Sequence, residues 1–149
     1  MKYYLGIDPG GNGGTAALNK KGDLKLLIKH SKTSTRDYIE QLLKIKGKIE
    51  YAVIENVWGL PGQNAAANSK LDRSFGRCEA ALVMLGCNYD LVIPRKWQQF
   101  YGMQKEKGEN KYKWKTRLMD KAKELFPDNK IEKEEADSVL IANYTLKSN

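Results

Sequence analysis

The 149-residue chain predicts an α/β fold, a five-stranded mixed sheet flanked by helices. Three observations lead there. The first thirty residues hold three short apolar runs punctuated by glycines and charges. Two later β-branched or apolar runs alternate with segments whose apolar residues recur near the 3.6-residue helical period. No internal repeat or linker divides the chain, and its length suits one domain with one proper core, so residues 1–149 read as a single domain.

Lys2 to Asp8, Gly14 to Lys20 and Asp23 to His30 read as three strands, with Lys21-Gly22-Asp23 making a tight hairpin between the second and third. An antiparallel meander therefore opens the chain. Behind the N-cap candidates Thr33 and Ser34, the apolar stripe Tyr38, Ile39, Leu42, Leu43 and Ile45 marks the first helix. Glu50 to Glu55 is a short apolar run between carboxylates, suited to a buried strand that pairs in parallel with the first. Asn56 to Asn68 reads as a loop, and Leu71 through Leu85 as a second helix ending near Gly86. Tyr89 to Ile93 is a fifth strand closed by Pro94, and Arg95 to about Glu109 reads as polar and irregular. Trp114, Leu118, Met119, Ala122, Leu125 and Phe126 resume a helical stripe that Pro127 stops. A last helix is expected from Glu132 to about Leu146, with carboxylates in its first turn.

The net charge of +8 and pI near 9.4 point to a polyanionic partner, nucleic acid before an anionic membrane surface. No apolar run approaches the roughly 18 residues that cross a bilayer, and the N-terminus lacks a signal-peptide core, so a cytoplasmic location with no membrane association is expected. Cys78 and Cys87 form no CxxC pattern, which argues against a zinc site or a disulfide framework. The single histidine, His30, has no partner in sequence for nucleophilic chemistry and reads as structural.

Acidic residues carry the sharper signal. Asp8 closes the first strand, Glu55 closes the fourth, and Glu134 and Asp137 stand at i, i+3 on the expected last helix. The ends of neighbouring central strands lie close together, so four carboxylates can converge. Such a cluster raises its own pKa values unless a cation compensates, and oxygen-only ligands select Mg²⁺, with Mn²⁺ as a substitute. Two such ions about 3.5–4 Å apart serve phosphodiester hydrolysis.

Gly-Ile-Asp8-Pro-Gly-Gly, Ile54-Glu55-Asn-Val and Glu134-Glu-Ala-Asp137-Ser-Val-Leu-Ile-Ala together resemble the RuvC family of Holliday-junction resolvases. The resemblance runs nearly end to end. Ser74-Phe-Gly-Arg77 is similar to the start of the family's long helix, and Val92-Ile-Pro94-Arg-Lys96-Trp97-Gln98 to its strand and basic turn. The Pro-x-x-Trp-Gln pattern and short length are more like phage-borne members. The resemblance implies a ribonuclease H-like fold and a crossover junction endodeoxyribonuclease, a hydrolase of DNA recombination and repair. It assigns metal binding to Asp8, Glu55, Glu134 and Asp137 and catalytic lysines to Lys96 and Lys113. It implies a homodimer that nicks opposite strands of a four-way junction, and an aromatic, Trp58, at the junction centre. Cellular members carry Asp at the third acid; here Glu135 stands beside Glu134, leaving open which one reaches the metal.

Between Arg95 and Lys123 ten basic residues face only Glu106, Glu109 and Asp120, a net of +7. Arg95, Lys105, Lys107, Lys111, Lys115 and Arg117 of this segment are candidate DNA contacts, with Tyr101, Tyr112 and Trp114 interleaved for stacking. Lys70, Arg73 and Arg77, after the Trp58 loop, are expected to line the same groove. The sequence thus favours a Mg²⁺-dependent, structure-selective endonuclease on branched DNA. The alternatives are a ribonuclease H-fold nuclease acting on an RNA/DNA hybrid or precursor ribosomal RNA, and a non-catalytic junction-binding protein.

Overall fold

A computed structural model describes residues 1–57 and 62–149. Trp58 lies outside the described residues. Strands β1 (Tyr3–Asp8), β2 (Gly14–Asn19) and β3 (Leu24–Lys29) form the antiparallel meander, followed by a 3₁₀ turn at His30–Lys32 and helix α1 (Thr35–Leu43). Strand β4 (Ile49–Glu55), helix α2 (Ala65–Met84) and strand β5 (Tyr89–Val92) follow, and then helices α3 (Pro94–Phe100), α4 (Lys111–Leu125) and α5 (Ala136–Ser148). The five strands stand in the order β3-β2-β1-β4-β5. β1 pairs antiparallel with β2 and parallel with β4, and β4 pairs parallel with β5, so the sheet is mixed as expected.

Alternation along the strands feeds two cores. Leu5 and Ile7 of β1, with Ala52 and Ile54 of β4, pack against Tyr38 and Leu42 of α1 and Cys78, Ala81 and Leu82 of α2. On the other face Ala16, Leu18, Val53 and Val92 meet Trp97 of α3, Trp114, Leu118 and Ala122 of α4, and α5. Nine residues of α5 are buried, among them Val139, Leu140, Ile141 and Ala142, which marks it as the central helix of that layer.

Three sequence expectations are corrected and one choice between two candidates is settled. The stretch after Pro94 is not irregular from its start: Pro94 occupies the first turn of α3, where its missing N–H costs nothing, and Trp97 drives the turn inward to full burial. α2 begins at Ala65, within the expected loop, because the Asn64 side chain accepts from the Ala67 N–H at 2.8 Å and caps it. α5 begins at Ala136 rather than Glu132, so Glu134 sits in the turn before the helix and not on it. Ser34, one of the two cap candidates, is the cap of α1, accepting from Asp37 N–H at 3.1 Å.

α5 lies directly on β1. A Cβ built at Gly6 would stand 2.0 Å from the Ala142 nitrogen and 2.4 Å from the Ser138 carbonyl, so only glycine permits the approach. Thr145 ties the pair, its hydroxyl bonding the Leu5 carbonyl at 3.0 Å and the Ile141 carbonyl at 2.8 Å. Because the obstructing atoms are helix backbone, Gly6→Ala is expected to cost more than about 3 kcal/mol. Gly11→Ala, with nothing within 4 Å of the added carbon, should stay within about 0.5 kcal/mol of wild type. Urea denaturation midpoints of the two variants check the contrast.

Candidate active site

The register places the acids. Ile7 of β1 faces Ile54 of β4 in a parallel pair, both turned to the α1–α2 core, so Asp8 and Glu55, one residue on, leave the opposite face together. That face carries α5, whose first turn holds Asp137. The three carboxylates meet at the carboxyl ends of two adjacent parallel strands, the usual ligand crevice of sheets of this kind.

Each is held by a different partner. Trp97 Nε1–H donates to Glu55 Oε2 at 2.6 Å. The Gly10 N–H donates to Asp8 Oδ1 at 3.3 Å, while Gly13 presses so closely on Asp8 that an added Cβ would stand 2.8 Å from its Cγ. Lys115 Nζ, on α4, donates to Asp137 Oδ2 as an ion pair. Asp137 Oδ1 is buried without a partner among the described residues.

Burial first, and then the Asp137 charge, raise Asp8 to about 6 against the opposing pull of Lys115 and the Gly10 N–H. Burial, and then Asp8 and Asp137, raise Glu55 to about 8 despite the Trp97 bond. Burial alone would pull Lys115 down, but Asp137, with Asp8 and Glu55 behind it, raises it. The cluster therefore holds more negative charge than its surroundings solvate, and its one ammonium offsets part of it. Among the described residues no three Asp, Glu, His or Cys side chains already stand at metal-binding spacing.

A groove of about 830 Å³ opens beside the cluster, lined by Asp8, the Gly10–Gly13 loop, Glu134, Lys70, Lys111, Lys115 and Lys133. Glu134 shares it with Asp8 and accepts from Ser31 Oγ at 2.9 Å. Glu135 instead turns back, its Oε2 accepting from the Glu132 N–H at 2.8 Å. Lys111 and Lys115 are one helical turn apart on α4 and both line the groove. Lys113, between them, is exposed, and its charge acts on Glu109. Lys96 is exposed on the first turn of α3, beside Trp97.

The remaining basic residues divide. Lys105 and Lys107 are exposed on the loop before α4, and Arg95 is exposed at the start of α3. Arg117 is occupied: its Nη1 donates to both Glu109 oxygens at 3.0 and 3.1 Å and to the Gln104 carbonyl at 3.2 Å, and its guanidinium lies 5.1 Å from the Trp114 ring centre. Arg73 and Arg77 line a second cavity next to the groove. Of the interleaved aromatics, Trp114 is buried in the core and Tyr101 is held by the Leu140 carbonyl and Asn143, which leaves Tyr112 exposed, with Lys133 Nζ 3.5 Å from its ring centre.

Sequence reasoning did not single out Trp97, Lys133 or the role of Lys115. One signal was present for Lys115: it adjoins the Trp114–Leu118–Ala122 stripe, whereas Lys113 lies about 140° around the helix from the middle of that stripe. His30 is structural, as read. Its Nδ1–H donates to the Gly10 carbonyl at 3.0 Å, the Thr15 hydroxyl donates to its Nε2 at 2.9 Å, and Tyr38 OH donates to Thr15 at 3.1 Å. Burial drops this imidazole to about 4, keeping it neutral as it pins the loop after Asp8.

A mixed five-stranded sheet in this strand order, with helices on both faces, is the ribonuclease H-like fold of RuvC. The chain is similar in structure to Thermus thermophilus RuvC in complex with Holliday junction substrate, with a TM-score of 0.64, 14% identity, and 95% of this chain and 90% of that chain covered. A second Thermus thermophilus RuvC structure gives a TM-score of 0.55 at 18% identity, covering 93% of this chain and 89% of that one. No protein-family model matches the sequence, and no curated protein matches it. No helix among the described residues is long and apolar enough to cross a membrane.

The raised carboxylates make a stability prediction. A carboxyl whose folded pKa lies above its unfolded value contributes stability that is complete below the unfolded value and lost as pH rises through the folded one. For Glu55 that window runs from 4.5 to about 8. In chelator-treated protein, wild type should lose stability across this window relative to Glu55→Gln, by a few kcal/mol at its upper end. His30 works in the opposite direction between about 4 and 6.5, but equally in both proteins. Melting temperatures of the pair at pH 5 and pH 8 give the difference; equal differences at both pH values contradict it.

Proposed function

We propose that the chain is a divalent-cation-dependent endonuclease that resolves four-way DNA junctions, two copies acting on one junction. The meeting of Asp8, Glu55 and Asp137 at the carboxyl edge of a RuvC-like sheet, beside a lysine-lined groove, carries this reading.

The residues fit a hard cation. The donors are carboxylate oxygens only, Asp8 and Glu55 are both raised by uncompensated charge and burial, and Asp137 Oδ1 is an unmatched buried acceptor. Asp8, Glu55 and Asp137 would hold Mg²⁺ or Mn²⁺, with Glu134, rather than Glu135, contributing from the groove wall. When bound, such ions supply charge neutralisation and Lewis-acid activation of water and phosphate.

The chain's own groups do the rest. Trp97 engages one oxygen of Glu55 and so orients the other. The His30 bond to the Gly10 carbonyl fixes the loop against which Asp8 rests. Lys70, Lys111 and Lys133 bind the phosphates of a strand in the groove, a contact that depends on charge and not on base sequence. Lys115, already beside the carboxylates, is placed to stabilise negative charge building on the attacked phosphate. Lys96 and Lys113 serve as outer phosphate contacts, as do Arg95, Lys105 and Lys107.

Single-turnover nicking of a synthetic four-way junction, a fork, a linear duplex and an RNA/DNA hybrid, each with Mg²⁺ or EDTA, tests the substrate. The junction should be cut fastest and only with the metal. Faster cutting of the hybrid would replace this reading with that of a hybrid nuclease, and binding without cutting would make the protein a junction holder. Asp8→Asn should nick at less than about a hundredth of the wild-type rate with junction affinity unchanged or tighter, since a negative charge leaves the groove.

The lysines separate in the same assay. Lys115→Ala should lower the rate at saturating protein by about 10²-fold or more. Lys107→Ala should leave that rate intact, weaken binding, and reduce the salt slope of affinity by about one unit. If Lys96→Ala or Lys113→Ala costs more rate than Lys115→Ala, the catalytic lysine lies at the position read from the family resemblance.

A further inference from the structure

Between α1 and α2 lies a second cavity, of about 480 Å³, that adjoins the acid groove: Gly11 and Lys70 line both. Its α2 wall carries Lys70, Arg73, Ser74 and Arg77, spaced i, i+3, i+4 and i+7 on one helix face. No carboxylate lines it. Farther along the same face the lining changes to Ala80, Ala81 and Met84, opposite Ile39 of α1. The cavity is thus sorted, cationic next to the groove and apolar beyond.

Two polar atoms of residues in its wall are unmatched. Ser74 Oγ and Arg77 Nε are both shut from solvent and have no hydrogen-bond partner among the described residues. A helical serine commonly returns its hydroxyl to the carbonyl one turn back, and this one does not. Buried polar groups without partners are rare enough in folded proteins to call for an explanation, and a bound polar group is one. The Arg77 guanidinium is nevertheless held in place, 5.0 Å from the centre of the Tyr38 ring, and Tyr38 is anchored through Thr15.

We propose that this cavity binds one nucleotide unit. Its phosphate rests among Lys70, Arg73 and Arg77, and its base lies against Ile39, Ala80 and Met84. The volume is that of a small-ligand pocket. The unit is either an unpaired nucleotide of a DNA strand lying in the adjoining groove or a free mononucleotide. Only the first source rests on the nuclease reading above.

Methyl resonances of Ile39, Ala80 and Met84 in the metal-free full chain report the apolar end. They are followed during titration with inorganic phosphate, dAMP and the tetranucleotide (dA)₄. Both nucleotide probes should shift all three methyls, and phosphate should not. An apparent affinity for (dA)₄ at least ten-fold above that for dAMP assigns the site to a DNA strand, and equal affinities assign it to a free nucleotide. Arg73→Ala should weaken either by five-fold or more, and Ala80→Trp should abolish the shifts by filling the apolar end; both residues are exposed, so folding is not at risk. Unmoved methyls with both nucleotide probes overturn the proposal, as do identical shifts with phosphate alone. Because no cleavage is read, failure of junction nicking with these shifts intact would remove the nuclease reading and leave this site standing.

Discussion

The close seating of α5 on β1 is the contact from which the site follows. At Gly6 helix backbone meets strand backbone with no side chain between, and Thr145 adds a hydrogen bond that crosses the same interface. This proximity brings Asp137, at the start of α5, over the ends of β1 and β4, where Asp8 and Glu55 emerge. A larger residue at position 6 would lift the helix and separate the third carboxylate from the other two. One missing Cβ in the strand interior thereby sets the spacing of charged groups two residues away.

The same seating creates an electrostatic burden. Three carboxylates enter a region poor in water, and the groups that answer them among the described residues are few: one ammonium, one indole N–H and one backbone N–H. Replacing such a cluster with apolar residues would give a more stable protein. The cation proposed above would lower that cost. Lys115 is then more than a surface charge, since its ammonium pairs with Asp137 inside the cluster.

Around this centre the chain arranges rigid supports. The loop after Asp8 is held from behind by the His30–Thr15–Tyr38 chain of hydrogen bonds, in which a neutral imidazole both donates and accepts. The segment before α5 is clasped to the end of β3 through the Lys29–Glu132 ion pair and the Ser31–Glu134 hydrogen bond. Arg117, buttressed by Glu109 and stacked on Trp114, stiffens α4 so that Lys111 and Lys115 keep their bearing on the groove.

The sequence by itself determined the sheet and pointed to the acids that meet at its parallel edge. Period-two and period-3.6 patterns placed five strands and the main helices, because core burial writes its periodicity directly into local sequence. Asp8 and Glu55 were legible because a carboxylate ending an apolar strand is out of keeping with its surroundings, and Asp137 because it stands near the start of a helix whose Val139 and Leu140 turn to the core. Tertiary structure alone decided what depends on how elements dock. Which of Lys111, Lys113 and Lys115 turns inward is set by the rotation of α4 about its Trp114 stripe, and lysines at alternate positions look alike in sequence. Glu134 and Glu135 are told apart only by the turn before α5, which sends one carboxylate into the groove and the other back to its own backbone. Trp97 meets Glu55 across 42 positions of chain, a pairing that no local pattern encodes, because it arises where two separately specified elements happen to close on the same corner of the sheet.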